Sequence, residues 1–233
     1  MADSGSEAGW RTFLRENSLS IAFGLLFLAA LTGTAIAGRI DFNQEQLAHG
    51  GEAVSFGSYV TSSNFGRQVM ENWQSEYLQF MLMMLLTVWF LQRGSPESKP
   101  LDKAGAESDR DQRIAQHADR DSPAWARTGG LRTFVYSNSL LILMLVIFLG
   151  SWFAQSVTGW TTYNEDQIQH HEAAVSWLSY VGSASFWEGT LENWQSEFLA
   201  VGSFAVFAIF FRQRGSPESK PVGAPHDATG IES

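Results

Sequence analysis

The stretch that decides the fold is LSIAFGLLFLAALTGTAIA, Leu19–Ala37, which carries no charged residue over its whole length. At a rise of about 1.5 Å per residue, a helix of this length covers roughly 28 Å, close to the hydrocarbon thickness of a bilayer. A second run, LLILMLVIFLGSWFAQSVTGW at Leu140–Trp160, is equally free of charge. Both runs are therefore predicted to be membrane-spanning helices.

The two apolar runs belong to two copies of one unit. Three pairs of segments show the correspondence most clearly, and every pair is offset by 121 positions: RTFLRENSL at Arg11–Leu19 with RTFVYSNSL at Arg132–Leu140, ENWQSE at Glu71–Glu76 and again at Glu192–Glu197, and RGSPESKP at Arg93–Pro100 and again at Arg214–Pro221. Of the 90 aligned positions, 38 are identical, so the chain is one unit of about ninety residues used twice.

Each unit also has a second, shorter apolar run, at Tyr77–Gln92 and at Phe198–Phe211. Their length alone would favour a buried core helix. The repeat aligns the two runs, however, and Ser185 followed by Glu188 is a capping-box pattern that starts the second one earlier. The predicted fold is an all-α membrane protein with four transmembrane helices in two tandem parallel two-helix repeats, and with short helices in the outer loops.

The predicted boundaries follow from the repeat and from composition. The linker is polar, charged and poor in aromatic residues, so it lacks the apolar surface that would offset the entropy of ordering. We therefore expect three disordered segments: the N-terminus at 1–10, a cytoplasmic linker at 101–131 and the tail at 222–233. The first repeat is expected at 11–100, with spans at about 19–37 and 73–92. The second is expected at 132–221, with spans at about 140–160 and 194–212.

The orientation is predicted from the basic residues, which concentrate on the cytoplasmic side of membrane proteins. Thirteen of the 15 Lys and Arg lie before the first run, in the linker or after the last run, and only Arg39 and Arg67 lie in the opposite loops. Both termini are therefore predicted to be cytoplasmic in a multi-pass protein of the cell membrane. An alternative is a signal peptide, because Ala35-Ile36-Ala37 resembles a cleavage site.

Composition excludes several classes of function. The net charge is −9 and the pI about 5.0, without a basic groove, so nucleic acid is not an expected partner. The chain has no cysteine, which excludes disulfides, thiolate metal centres, iron–sulfur clusters and cysteine nucleophiles. All five histidines lie outside the predicted spans, which argues against membrane haem. No cofactor is expected, apart from a divalent cation.

The hypothesis of a divalent cation rests on the outer loops. Glu45 and His49 are four residues apart, as are Asp166 and His170, so on a helix each pair shares one face. Carboxylates and imidazoles of this kind bind divalent metals. The candidate ligands are Glu45, His49, Glu76, Asp166, His170 and Glu197. The alternative is a solvated acidic helix surface, with Glu76 and Glu197 either facing water or serving as stations for a transported ion.

The ENWQSE segments are predicted to form a structural seam between the units. Tryptophan rings favour the headgroup zone, and amide side chains hydrogen-bond between membrane helices. The seam residues are Asn72, Trp73, Gln74, Asn193, Trp194 and Gln195. RGSPESKP fits a helix stop with a basic anchor, and a docking motif is the alternative.

The ENWQSE, RGSPESK and RTFxxxNSL motifs together resemble an uncharacterised family of bacterial multi-pass membrane proteins with a domain of unknown function. The resemblance implies the inner membrane and brings no activity or cofactor. We expect a non-enzymatic scaffold, accessory subunit or envelope component whose partners are lipid and a membrane protein or a second copy. The alternatives are a small transporter or channel using the outer carboxylates, and a metal-binding outer loop.

Overall fold

The structure is a computed structural model that describes residues 4–231, with side chains from residue 9 onward. This part of the chain is all-helical and contains no strand. Its helices are α1 Ser4–Glu16, α2 Ser18–Ala48, α3 Phe56–Val60, α4 Ser63–Trp89, α5 Ala124–Thr128, α6 Gly130–Ser137, α7 Ser139–Gln169, α8 Trp177–Val181 and α9 Ala184–Phe210, with a 3₁₀ turn at Ala115–His117.

The bounds of three helices recur 121 residues later. The helices α2, α3 and α4 correspond residue for residue to α7, α8 and α9, with lengths of 31, 5 and 27 residues. The predicted N-cap Ser185 is wrong by two positions. Ser183 has the extended backbone of a cap, and its hydroxyl accepts from the Phe186 N–H, so Ser185 lies inside the helix.

Two helices are long and apolar enough to cross a membrane, which agrees with two of the four predicted spans. These are α2 and α7, with mean hydropathies of 2.1 and 2.2 over their most apolar stretches. The other two predicted spans fall largely within α4 and α9, which at 27 residues each are about 40 Å long. The polar ENWQSE segment lies inside both of these helices and lowers their average hydropathy.

The core forms where α4 lies between α7 and α9. The helix α4 runs antiparallel to α7, since Gly66 lies against Thr158 and Glu71, later on α4, contacts Gln155, which is earlier on α7. By contrast, α2 packs mainly on α1 and α3, and within the described residues it has no extended contact with α4, α7 or α9. The two helices of similar hydropathy are therefore packed very differently.

The linker end of the molecule, formed by residues 90–131 and 211–231, differs from the prediction of disorder in its tail. The Gly94 N–H donates to the Thr229 hydroxyl over 2.8 Å, and the Gly230 N–H donates to the Ser95 carbonyl over 3.0 Å. These hydrogen bonds hold the tail in place, although it buries little apolar surface. The linker itself carries only turns, the 3₁₀ turn and α5. At the N-terminus, α1 begins at Ser4, and residues 1–3 lie outside the described part.

Candidate functional site

The end opposite the linker, called the loop end, carries α3 and α8 and is built by two matching amide brackets. The Val54 N–H donates to Asn43 Oδ1 over 2.7 Å, and Asn43 Nδ2 donates to the Val54 carbonyl over 3.2 Å. Asn164 brackets Val175 in the same way, at 2.8 and 3.1 Å. Each pair of hydrogen bonds, called an amide bracket, holds the segment after α2 or α7 against that helix. The bracket thereby fixes the position of the short helix that follows, α3 or α8.

The short helices place two buried tyrosines against glycines. Tyr59 of α3 is fully buried over Gly38, and Tyr180 of α8 is buried over Gly159. A Cβ at either glycine would collide with the tyrosine hydroxyl, so no other residue fits there without a shift. Burial raises the pKa of both tyrosines, so both hydroxyls stay protonated at physiological pH.

Below Tyr180 lies a polar junction, formed by Arg67, Glu71, Gln74, Gln155, Thr190 and Trp194. Arg67 Nη1 is 3.4 Å from Glu71 Oε1, one helical turn away on α4. Gln155 of α7 is 1 % exposed, donates to Thr190 Oγ1 of α9 over 3.4 Å and also contacts the Glu71 carboxylate. Three helices therefore direct polar groups to one point between them.

The junction continues deeper along α4. Trp194 Nε1 donates to Gln74 Oε1 over 2.7 Å, and Gln74, Ser75 and Ser151 are all buried. From Arg67 to Ser75 the polar groups extend over about 12 Å at the rise of an α-helix. Two buried atoms of this set, Arg67 Nε and Gln155 Oε1, have no hydrogen-bond partner within the described residues. Unpaired buried groups of this kind can accept a water or a small polar ligand.

A cavity of about 260 Å³ opens above the junction at the loop end. Its lining brings Arg67 together with the carboxylates Glu45, Glu165 and Asp166. The volume admits several water molecules or one small polar molecule, since water occupies about 30 Å³ in the liquid. The cavity can therefore hold a hydrated cation or a small zwitterion, with acidic groups outnumbering the single guanidinium.

The structure brings together only part of the predicted metal set. Glu45 and Asp166 line the same cavity, but His49 Nδ1 and His170 Nδ1 each lie 2.9 Å from the backbone carbonyl one turn earlier on their own helix. Glu76 lines a different groove, between α2 and α4. Across residues 9–231, no three His, Asp or Glu side chains are close enough to share a metal ion.

Two pairs of carboxylates, one member on α4 and the other on α9, lie close enough to repel each other. Glu76 and Glu197 lie within range of charge repulsion, and so do Glu71 and Glu192. These are the same positions of the two units, 121 residues apart. The predicted outer-mouth carboxylates Glu76 and Glu197 are thus neighbours in space.

Two of the six predicted seam residues contact each other across the helices, and the other four make different contacts. Gln74 and Trp194 join α4 to α9, as described above. Asn72 and Asn193 instead donate to the carbonyls of Gln68 and Gly189 on their own helices, over 2.9 and 2.7 Å. Trp73 lies beside Phe27 and Tyr77, and Gln195 is exposed. The amides of Asn72 and Asn193 are already occupied within their helices, so they cannot join the units.

Several site residues were not among the sequence-based candidates. Arg67 is one of only two basic residues in the predicted outer loops, and Gln155 is an amide within an apolar run, so both stood out by position. Asn43 and Asn164 are identical in the two units. Thr190 could not be identified from the sequence, because it is not repeated: Val69 occupies the equivalent position in the first unit.

The RGSPESKP segments form matching helix stops at the linker end. The Gln92 N–H donates to Ser98 Oγ over 2.9 Å, and the Gln213 N–H donates to Ser219 Oγ over 3.0 Å. Gly94 and Gly215 have φ of 84° and 81°, a backbone region that favours glycine. These contacts account for the repeated serines and glycines as local structure.

Comparison with known proteins assigns a family but no activity. A family model described as a domain of unknown function (DUF6766) matches residues 10–231. No curated protein and no solved structure matches the chain.

Proposed function

The chain belongs to this family of unknown function, and we propose from its own geometry that it is a four-span membrane protein acting as a non-enzymatic scaffold or accessory subunit. The proposal places it in the bacterial inner membrane, with both termini and the linker in the cytoplasm. It treats the chain as two tandem parallel repeats, α2–α4 and α7–α9, each crossing the bilayer twice.

The observation that carries the proposal is the exposure of α2. Only 6 % of its most apolar stretch is buried within the molecule. Leu19, Phe23 and Leu26 are each about two-thirds exposed. Apolar area in water costs about 25 cal/mol per Å², so a helix of this kind requires lipid or another protein around it.

Two features support spanning by α4 and α9 as well. Each is about 40 Å long, and each ends in exposed aromatic residues: Trp89 and Phe90 in one case, Phe210 and Phe211 in the other. Aromatic rings at helix ends suit the interface of a bilayer. The antiparallel packing of α4 on α7 also agrees with successive crossings in opposite directions.

A pair of reporter fusions tests the membrane topology. An enzyme that is active only outside the cytoplasm, fused after Lys103, should be silent, and the same enzyme fused after Gly51 should be active. Membranes washed at alkaline pH should retain the chain. Activity at Lys103, or release by the wash, would contradict the four-span arrangement.

The scaffold role is tested by mild extraction from native membranes. We expect a membrane protein to co-purify at a fixed ratio with the tagged chain, and substitution of the exposed α2 residues Phe23 and Leu26 by alanine to weaken that association. Equal alanine substitutions at the exposed linker-end residues Leu101 and Val222 are the control. Recovery of the chain without any partner, at every detergent tested, would contradict the role.

A second function, ion or proton transfer, is favoured by the buried polar junction and by the adjacent Glu76 and Glu197. Reconstituted vesicles should then show a proton-coupled flux that Glu76→Gln with Glu197→Gln abolishes. Glu97→Gln with Glu218→Gln, at the linker end, is the matched control. A flux unchanged by the first pair would remove these carboxylates from any pathway.

A further inference from the structure

The first unit carries an open groove between α2 and α4. It encloses about 630 Å³ and is lined by Phe27, Ala30 and Thr34 from α2 and by Val69 and Trp73 from α4. Phe27 is 46 % exposed and Trp73 is 37 % exposed, so no described part of the chain covers this groove.

The second unit has the same groove, and there it is filled. The corresponding residues are Phe148, Ser151 and Gln155 of α7 and Thr190 and Trp194 of α9, each 121 positions later. Phe148, Ser151, Gln155 and Thr190 are between 0 and 6 % exposed. The helix that covers them is α4, because Glu71 contacts Gln155 and lies 3.4 Å from the Cβ position of Gly189, and Gln74 accepts from Trp194.

The face of α4 that fills the groove is repeated on α9. Gln74, Ser75 and Leu78 are 0, 2 and 6 % exposed. Their counterparts Gln195, Ser196 and Leu199 are the same residue types, and all three are exposed, Leu199 by 68 %. Glu71 likewise has Glu192 as its counterpart. The molecule therefore presents one copy of a groove and one copy of the helix face that fits it, both unoccupied within the described residues.

We infer that a second copy of this chain fills the groove. Its α9 enters between α2 and α4 as α4 enters between α7 and α9, and reciprocal insertion gives a two-fold dimer with four grooves and four inserted helices. Trp73 Nε1 then donates to the Gln195 side chain of the other copy, as Trp194 donates to Gln74. The inference goes beyond the proposed function: the match between groove and helix face rests on the packing, and the choice of a protein helix over lipid rests on the proposed four-span arrangement.

Polarity favours a protein helix over lipid as the occupant. In the four-span arrangement Gln195 lies within a predicted span, and a lipid chain would offer its exposed amide no hydrogen-bond partner. The groove offers Trp73 and Gln68. Thr34 and Val69 stand where Gln155 contacts Glu71 and donates to Thr190, so the contact between copies has fewer polar links. We therefore expect the dimer to dissociate before the fold of each copy melts.

Cysteine cross-linking tests the contact, because the native chain has no cysteine. A Cβ at Gly66 would lie 3.8 Å from the Thr158 Cβ, a separation that suits a disulfide. Gly66→Cys with Thr158→Cys in one chain is thus the internal control. The equivalent positions between copies are Trp187 and Ala37. Chains carrying Ala37→Cys and chains carrying Trp187→Cys, with different tags and expressed together, should form a mixed disulfide of about twice 25.8 kDa.

A mass measurement in mild detergent gives an independent readout. The native chain should have the protein mass of a dimer, and Ala30→Trp, which places an indole in the groove, should give a folded monomer. Leu28→Trp, on the same helix but outside the groove lining, should stay dimeric. A monomeric native chain without the mixed disulfide, a monomer with lipid in the groove, or a native protein mass larger than that of a dimer would each overturn the inference.

Discussion

Asn43 and Asn164 each use both ends of one amide to hold the backbone that follows their helix. A hydrogen bond contributes about 0.5–1.5 kcal/mol to stability, and each bracket contains two of them. The brackets also position Tyr59 and Tyr180, so their effect extends from one residue to the whole loop end.

Alanine at Asn43 or Asn164 should lower the free energy of unfolding by about 1–3 kcal/mol, because two hydrogen bonds are lost and the valine carbonyl and N–H lose their partners. Thermal unfolding in detergent measures the change, and limited proteolysis of residues 49–62 or 170–183 localises it. Asn72→Ala is the control, since Asn72 bonds only to its own helix. Equal effects of the three substitutions would contradict the bracket.

His170 should make the end of α7 sensitive to pH. Its Nδ1 donates to the Asp166 carbonyl, and this bond, reinforced by the Asp166 charge, raises the pKa of His170 above its usual value near 6.5. A raised pKa stabilises the folded helix end fully below that usual value, and the contribution is lost as pH rises through the folded pKa.

We therefore expect amide exchange at residues 166–170, corrected for its intrinsic pH dependence, to be faster at pH 8 than at pH 6. His170→Gln should remove the difference between the two pH values, because glutamine does not titrate. A pH dependence that survives in this variant would assign it to another group.

At the scale of elements, the packing of α4 depends on polar partners that the two units do not share. In the groove of the second unit Gln155 contacts Glu71 and donates to Thr190, whereas Thr34 and Val69 occupy those places in the first. Both grooves have an aromatic wall, formed by Phe27 and Trp73 or by Phe148 and Trp194. The second groove therefore offers α4 more polar partners than the first groove offers an inserted helix.

The hydrogen bond between Trp194 and Gln74 should appear as a coupling energy between α4 and α9. In a double-mutant cycle of Trp194→Phe and Gln74→Met, we expect an interaction of about 1 kcal/mol. The control cycle, Asn72→Ala with Asn193→Ala, should show a coupling near zero, because each amide is satisfied within its own helix. Similar couplings in the two cycles would mean that the seam is spread over the whole ENWQSE segment.

Lys220 holds the tail at the linker end. It is 1 % exposed, and Nζ lies 2.6 to 3.2 Å from the carbonyls of Gly94, Pro225, His226 and Ala228. Charged hydrogen bonds contribute about 1.5–3 kcal/mol, so Lys220→Met should raise the rate of proteolysis in residues 222–231 by roughly tenfold or more. Lys99→Met, which removes contacts to Gly105 and Glu107 only, should leave that rate unchanged.

For the whole molecule, retention of α2 is a direct expectation. The helix continues for eleven residues beyond Ala37, and Gly38 is covered by Tyr59, so the signal-peptide alternative would cut a continuous helix beside a buried contact. The intact mass of protein from membranes should be close to 25.8 kDa. A mature N-terminus at Gly38 would instead establish cleavage.

Sequence reasoning predicted the helical class and two spans that qualify by hydropathy, because apolar runs are visible in one dimension. It missed which helix packs on which, since one apolar run resembles another and the choice depends on single polar residues such as Gln155. It also missed the order of the tail. There Lys220 bonds to backbone carbonyls, and the types of the side chains in the tail do not indicate such contacts.

The position of α4 also determines how a chain that is cut in its linker should behave. The two halves meet through α4 in its groove and again where Lys220 reaches Gly94, at opposite ends of the molecule. Neither contact uses residues 106–121. Two separately translated fragments, parted near Ser108, should therefore find each other in the bilayer and assemble as the uncut polypeptide does.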